Sequence, residues 1–297
     1  FMEDWSRQAF AVATGDVDEL NPTRQRPDMW VDQKDYVTPI WDAINKGAIA
    51  DSTPFALPKF NSASGLVGDH SQGTEPTAGS YTTTGQTITP GAISGKVEIN
   101  REVLDQGGNP QVSTILWAQI NRNYLEALES KAAALLNGLS AGLTTITITT
   151  AAANKALAAA VRSAFAPLQF VRGGFRFRDF KVQVDLYTAL LNASDTTGRP
   201  LFAAVAPSST DGSVASLYSA LDVNGLAAVP AWALGATSVN SSKSWLFDRN
   251  DVHGWATPPQ RLDFSYQVKS VDVGVWGYQA TAVTDITGVR AVAYDPA

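Results

Sequence analysis

The chain has 297 residues, 44% of them hydrophobic and only 17% charged, below the roughly one-quarter usual in globular proteins. Lysine and arginine number 22 against 28 aspartates and glutamates; the net charge of −6 argues against a dedicated nucleic-acid binder and against a partner membrane of anionic lipid. No apolar run approaches the roughly 20 residues needed to cross a bilayer, and without cysteine there is no disulfide framework, thiolate metal site or thiol nucleophile.

Residues 1–32 are poorly periodic, with Pro22, Pro27 and a charged cluster at Arg24, Arg26 and Asp28, the pattern of an extended arm. Between Gln33 and Gly47, Tyr36, Val37, Ile40, Trp41 and Ile44 recur at helical spacing, and Gly47 supplies a stop. A short strand is predicted over Pro54–Phe60. The stretch Asn61–Gly95 is rich in Ser, Thr and Gly, carries Pro76 and Pro90, and has no lysine or arginine. Loops this long are uncommon, and the alternation over Ser80–Ile88 allows a long two-stranded excursion instead. Val97–Val103 reads as a strand.

The clearest element follows. Asn109 suits an N-cap, Pro110 the first helical position, and Gly138 the position past the end. Between them Val112, Leu116, Ile120, Tyr124, Leu128, Ala132 and Leu135 repeat every three or four residues, predicting a helix about 40 Å long. Thr144–Thr149 then reads as a strand and Ala151–Phe165 as a helix. Phe180–Leu186 is a predicted strand, Tyr187–Asn192 a short helix, Asp195–Pro200 a turn and Val214–Ala220 another short helix. The span from about residue 143 to 262 thus has α/β character. The end is strand-rich: Phe264–Val268, Val271–Trp276, Ala280–Asp285 and Val289–Tyr294.

Motifs that could carry chemistry fail on context. Gly138-Leu-Ser-Ala-Gly142 matches a nucleophile elbow, with Asp248, Asp251 and His253 following in a suitable order. An elbow needs a strand-to-helix turn, whereas this serine lies between a helix and a strand, where a glycine-rich helix stop is expected. Asp248–Gly254 begins like a calcium loop, but Val252 stands where an oxygen ligand is needed, so a polar turn is expected. The two histidines, His70 and His253, lack metal-ligand spacing. Arg172-Gly-Gly-Phe-Arg-Phe-Arg178 is a basic-aromatic stretch with two readings. It can touch a nucleic-acid backbone and stack bases. Alternatively it is a glycine turn into a strand with arginines and phenylalanines on opposite faces, leaving Arg172, Arg176 and Arg178 to meet a neighbouring subunit's carboxylates. No catalytic, cofactor or metal residue is assigned, and the chain is not expected to be an enzyme.

The order of parts resembles the Hong Kong 97-type major capsid protein of tailed phages. The likeness is carried by Thr53-Pro-Phe-Ala-Leu-Pro-Lys-Phe60, by Thr74-Glu-Pro-Thr-Ala-Gly79 with its acidic Glu75, and by Gly95-Lys-Val-Glu-Ile-Asn-Arg-Glu-Val-Leu104. Asp195-Thr-Thr-Gly-Arg-Pro-Leu201 and Val223-Asn-Gly-Leu-Ala-Ala-Val229 resemble loops of that family's axial domain. The resemblance implies an α+β fold: an N-terminal arm (1–32), a peripheral domain (33–60, 96–142 with a spine helix, and 263–297 as returning strands), an extended β-hairpin loop (61–95) and an axial domain (143–262). It implies a virion shell subunit assembled in the host cytoplasm, partnering itself as hexamers and pentamers, neighbouring capsomers, and scaffold, portal and decoration proteins. Packaged DNA would be touched weakly and without specificity. Glu75 and Tyr81 of the loop are further candidates for contacts between subunits. The family's scaffolding segment is not seen at the front, implying a matured chain or a separate scaffold. Some members join subunits by an isopeptide bond from a loop lysine; Asn61–Gly95 has none, so no crosslink is expected. Two other readings remain: an encapsulin-like nanocompartment shell, and a secreted β-rich hydrolase or carbohydrate-binding protein, which leaves the arm and hairpin unexplained.

Overall fold

The computed structural model describes residues 31–35, 37–106, 112–150, 155–171, 174–203, 220–235, 243–262 and 270–296. The expected arm up to residue 30, Tyr36, the cap at Asn109 and Pro110, residues 151–154, Arg172, most of Val214–Ala220 and the strand Phe264–Val268 lie outside them.

The first element differs from expectation. Instead of a helix over Gln33–Gly47 there is one helical turn, with Asp42 N–H on the carbonyl of Thr38 and Ile44 N–H on that of Ile40, followed by strand β1, Asn45–Ala48. Pro39 explains this. A proline inside a helix removes a hydrogen bond and clashes with the preceding turn, so the periodic residues form a plug: Ile40, Trp41, Ala43 and Ile44 are all buried.

Strands β2 (Phe55–Ser64) and β3 (Ser80–Ile88) form an antiparallel hairpin as a sheet of their own. β4 runs from Gly91 to Asn100, and the expected strand over Val97–Val103 is overtaken at Arg101 by helix α1, Arg101–Gln106. Asn100 is a favoured N-cap residue and Glu102 places negative charge in the first turn. Helix α2, Val112–Asn137, is the expected long helix.

β5 (Thr144–Thr150), helix α3 (Lys155–Phe165), β6 (Asp179–Val182) and helix α4 (Val184–Asn192) follow. The predicted strand Phe180–Leu186 is therefore cut at Val182, because Gln183 begins a helix with Asp185 in its first turn. Next come β7 (Leu221–Val223), β8 (Leu226–Pro230), β9 (Ser244–Phe247), β10 (Val252–Ala256) and β11 (Gln260–Leu262). The two strands expected over Val271–Trp276 and Ala280–Asp285 are one, β12, Ser270–Val283; β13 is Val289–Pro296. Gly277 lies between the two expected strands, and its role is close approach: a Cβ there would collide with the Tyr124 phenol.

Two sheets carry the body. In the first, β1, β10, β12 and β11 lie in that order, and β4 pairs with β12 over ten residues from Ser270–Asn100 to Gln279–Gly91. In the second the order is β5-β13-β9-β6-β8-β7. Helix α2 fills the space between them. Its Ile120, Tyr124, Leu128, Ala132 and Leu136 pack with Ile99, Val273 and Val275 of the first sheet and Trp245, Phe247, Val289 and Ala291 of the second. The two-residue period of a strand sends alternate side chains to opposite faces. Leu246 and Val292 accordingly enter a second core, with Leu157, Val161 and Phe165 of α3 and Leu186 and Leu190 of α4.

Candidate assembly surfaces

Among the described residues, the hairpin is anchored only at its root. Phe55 meets Trp255 edge-on, with ring centroids 5.1 Å apart, and Ile88 is buried against Ala280 and Ala282. Lys59 Nζ donates to Gln86 Oε1 and to the carbonyl of Thr284, both at 3.3 Å. Beyond that point the pairing shifts between Phe60 and Ser62, a bulge that inserts Asn61. There Ser62 Oγ and Thr82 Oγ1 lie 2.6 Å apart, and Phe60 and Tyr81 make an aromatic pair with centroids at 5.5 Å. That pair is in solvent, Phe60 at 58% and Tyr81 at 61% exposure, and at the tip Val67 reaches 93%. Glu75 is exposed in the same tip. Gly79 permits the tip to close, since a Cβ would sit 2.5 Å from the backbone of Gly65. Tyr81 and Glu75 are thus both free of their own chain's core.

The arginines behave differently. Arg178 is exposed, with its backbone N–H on the carbonyl of Phe247 at 3.3 Å. Phe177 is fully buried beside exposed Arg178, but Phe175 and Arg176 are both half-buried, residues 176–178 are irregular, and the strand starts only at Asp179. Arg176 is held within its own subunit: Nη2 donates to Asp285 Oδ2 at 3.0 Å and Thr287 Oγ1 at 2.8 Å, and stands 3.5 Å from Asp251 Oδ2.

Arg176 braces a joint that the sequence does not announce. The chain crosses between the two sheets at Asp248–Asp251 and again at Thr284–Gly288, and these crossings are stitched together. Asp248 N–H donates to the carbonyl of Gly288 and Thr284 N–H to that of Asp251, each at 2.9 Å. Asp248 and Asp285 each accept an N–H two residues on, from Asn250 and Thr287. The polar turn expected at Asp248–Gly254 is present over Asp248–Asp251 as a capped turn, and β10 takes over at Val252. Burial pushes the Asp251 carboxyl up despite Arg176, with Asp285 and Asp248 adding repulsion. Burial also acts on Asp285, but the Thr287 hydrogen bonds and Arg176 outweigh it and hold that carboxyl low. Gly288 has no room for a Cβ against the Asp251 carboxylate.

A second unannounced group is Glu129, fully buried on α2. Its Oε1 accepts from Ile40 N–H at 3.0 Å and its Oε2 from Trp41 N–H at 2.8 Å. The carboxylate caps the turn that Pro39 created. Burial raises its pKa, partly offset by those two N–H groups. The available signal is position: Glu129 lies four residues before Ala133, which is also buried, on the helix face that meets the plug.

The Ser140 stretch is not a nucleophile elbow. Ser140 follows the end of α2 and precedes β5, with Gly142 at φ 72°, a helix stop. Among the described residues, no group of three His, Cys, Asp or Glu side chains is arranged to hold a metal ion, and no helix is long and apolar enough to cross a membrane.

Known structures share this architecture. The capsid of a native GTA particle superposes with a TM-score of 0.71 at 13% identity, covering 96% of this chain and 99% of that one. A structure from Microbacterium phage Oxtober96 gives 0.63 at 13% identity over 95% and 99%. The capsid structure of cyanophage P-SCSP1u gives 0.64 at 13% identity over 95% of each chain. No family model and no curated protein matches the sequence. The chain has the α+β fold of phage capsid structures, and the likeness extends over nearly its whole length.

Proposed function

We propose that the chain is the major capsid protein of a tailed virus, a non-enzymatic subunit that assembles with copies of itself, as hexamers and pentamers, into an icosahedral shell around double-stranded DNA. The observation that carries this reading is the hairpin. Its ten-residue strand β2 extends about 33 Å at 3.3 Å per residue, and past Lys59 it has no core. An isolated two-stranded hairpin is marginal in water. This one presents Phe60, Tyr81, Leu66 and Val67 to solvent, and a neighbouring subunit lying under it accounts for both facts. The capsid fold supports the same conclusion, and the charge of −6 suits a wall that does not grip the packaged duplex.

The test is to replace residues 61–82 by an Asn-Gly turn, which closes a two-residue hairpin, leaving the paired root from Phe55–Ile88 to Phe60–Thr83 intact. The shortened chain is expected to fold, with the circular dichroism and melting of the full chain, and to form no shells by negative-stain microscopy. A full-length chain that forms no shells under the same conditions overturns the reading, whereas normal shells from the shortened chain would show a shell protein whose assembly does not use the hairpin.

A further inference from the structure

Asparagine followed by glycine occurs twice in the chain, at Asn137-Gly138 and at Asn224-Gly225. This pairing is prone to lose its side-chain amide, because a glycine nitrogen with no Cβ beside it can swing onto the asparagine Cγ. Both asparagines are exposed, yet the fold treats the two pairs differently. Asn137 ends α2; its Oδ1 accepts from Trp245 Nε1 at 3.0 Å, and the Gly138 N–H donates to the carbonyl of Ala134 at 2.9 Å. The side chain is tied down there, and the N–H faces a carbonyl, which does not take up its proton. Asn224 and Gly225 instead form the two-residue turn between β7 and β8, with Val223 paired to Leu226. Asn224 has φ 55° and Gly225 φ 82°, the left-handed pair of a tight hairpin turn. The space around Gly225 is open, since a Cβ there would meet nothing within 4 Å. Its N–H donates to Asp222 Oδ1 at 2.8 Å, within the reach of a general base.

We propose that Asn224 is a self-modifying site, at which Asp222 promotes conversion of the asparagine to aspartate and isoaspartate. The Asp222 carboxylate takes the Gly225 amide proton as that nitrogen attacks Asn224 Cγ. The bond from the Gly225 nitrogen to Cγ forms, the Cγ–Nδ2 bond breaks, and the proton passes to Nδ2, which leaves as ammonia. Water then opens the cyclic imide at either carbonyl, giving aspartate or isoaspartate, so the net change is water consumed and ammonia released. Each event adds a negative charge beside Asp222, and isoaspartate also lengthens the backbone of a turn that has no slack. The turn thereby records the age of the chain. The site is a property of the folded chain and does not rest on the shell reading.

The full folded chain is incubated in mildly alkaline buffer beside the same chain unfolded in urea, and both are digested and mass-mapped for amide-to-acid conversion. The quantity read is conversion at Asn224 relative to conversion at Asn137. In the folded chain this ratio is expected to stand well above its value in urea; a folded ratio at or below the urea value overturns the site. Asp222→Asn keeps an oxygen acceptor for the Gly225 N–H and removes the base. It is expected to slow conversion at Asn224 about tenfold, short of the roughly hundredfold or more given by a base of matched pKa. Unchanged conversion in the folded Asp222→Asn chain overturns the role of Asp222. Should that variant fold poorly, Asp222→Ser, with a shorter acceptor and no base, is read by the same criterion.

Discussion

Glu129 brings a carboxylate into the core, and what it holds explains why it is tolerated. Removing an acceptor from a buried N–H costs about 1–3 kcal/mol. Glu129→Gln keeps one acceptor for Ile40 and Trp41 and should lose about that much relative to the native chain. The pH dependence has a definite sign. Burial raises the folded-state pKa above the ordinary carboxylate value, so the folded chain binds this proton more tightly than the unfolded chain. The associated stability is fully present below the unfolded pKa, about 4.3, and is lost as pH rises through the folded value. Denaturant melts of the native chain and of Glu129→Gln should therefore differ by an amount that shrinks as pH rises across that window. A native advantage that grows with pH would show that the carboxylate is stabilised in the fold by more than its burial costs. This residue was hidden in the sequence because helical periodicity marks apolar positions, and a polar residue on a buried face is identified only by the partner it meets.

At the scale of elements, the seam of α2 is the most legible part of the molecule. Leu116, Ile120, Tyr124, Leu128 and Ala132 were expected on one face, and all reach the core, with Leu116 at its edge. Leu128 is 3% exposed and one residue from Glu129. Leu128→Asp should destabilise the fold by about 3–5 kcal/mol, the cost of an uncompensated buried charge, visible as a lower denaturation midpoint; an unchanged midpoint would remove the seam from the core. The misread elements fail for identifiable reasons. Over Gln33–Gly47 the apolar spacing is helical, but Pro39 limits it to a turn, and spacing alone is blind to one residue. Over Val271–Asp285 two strands were expected and one continuous strand is present, in which Gly277 makes room for Tyr124. The joint at Asp248–Asp251 and Thr284–Gly288 depends on two segments more than 30 residues apart becoming neighbours, which no local pattern encodes.

At the scale of the whole molecule, the lysines nearest the hairpin are already engaged at home. Lys59 bonds to Gln86 and Thr284, and Lys96 pairs with Asp272 at 2.8 Å. An isopeptide bond needs a deprotonated amine within reach of its target on the adjacent subunit, and neither lysine lies on the projecting part of the hairpin. On the proposed shell reading, mature particles boiled in detergent should therefore run as one band at the mass of a single chain, while a ladder of covalent multimers would show another lysine supplying the nucleophile. Without covalent links, resistance to stretching must come from how strands are loaded. β12 is one uninterrupted strand zipped to β4 over ten residues, and antiparallel ladder bonds stand perpendicular to the strands. A pull along β12 strains that whole ladder in shear, so its bonds must yield together. A pull on the hairpin peels β2 from β3 one rung at a time. The chain is thus a tie-bar with a compliant tether, stiff along the direction of β12 and yielding at the hairpin.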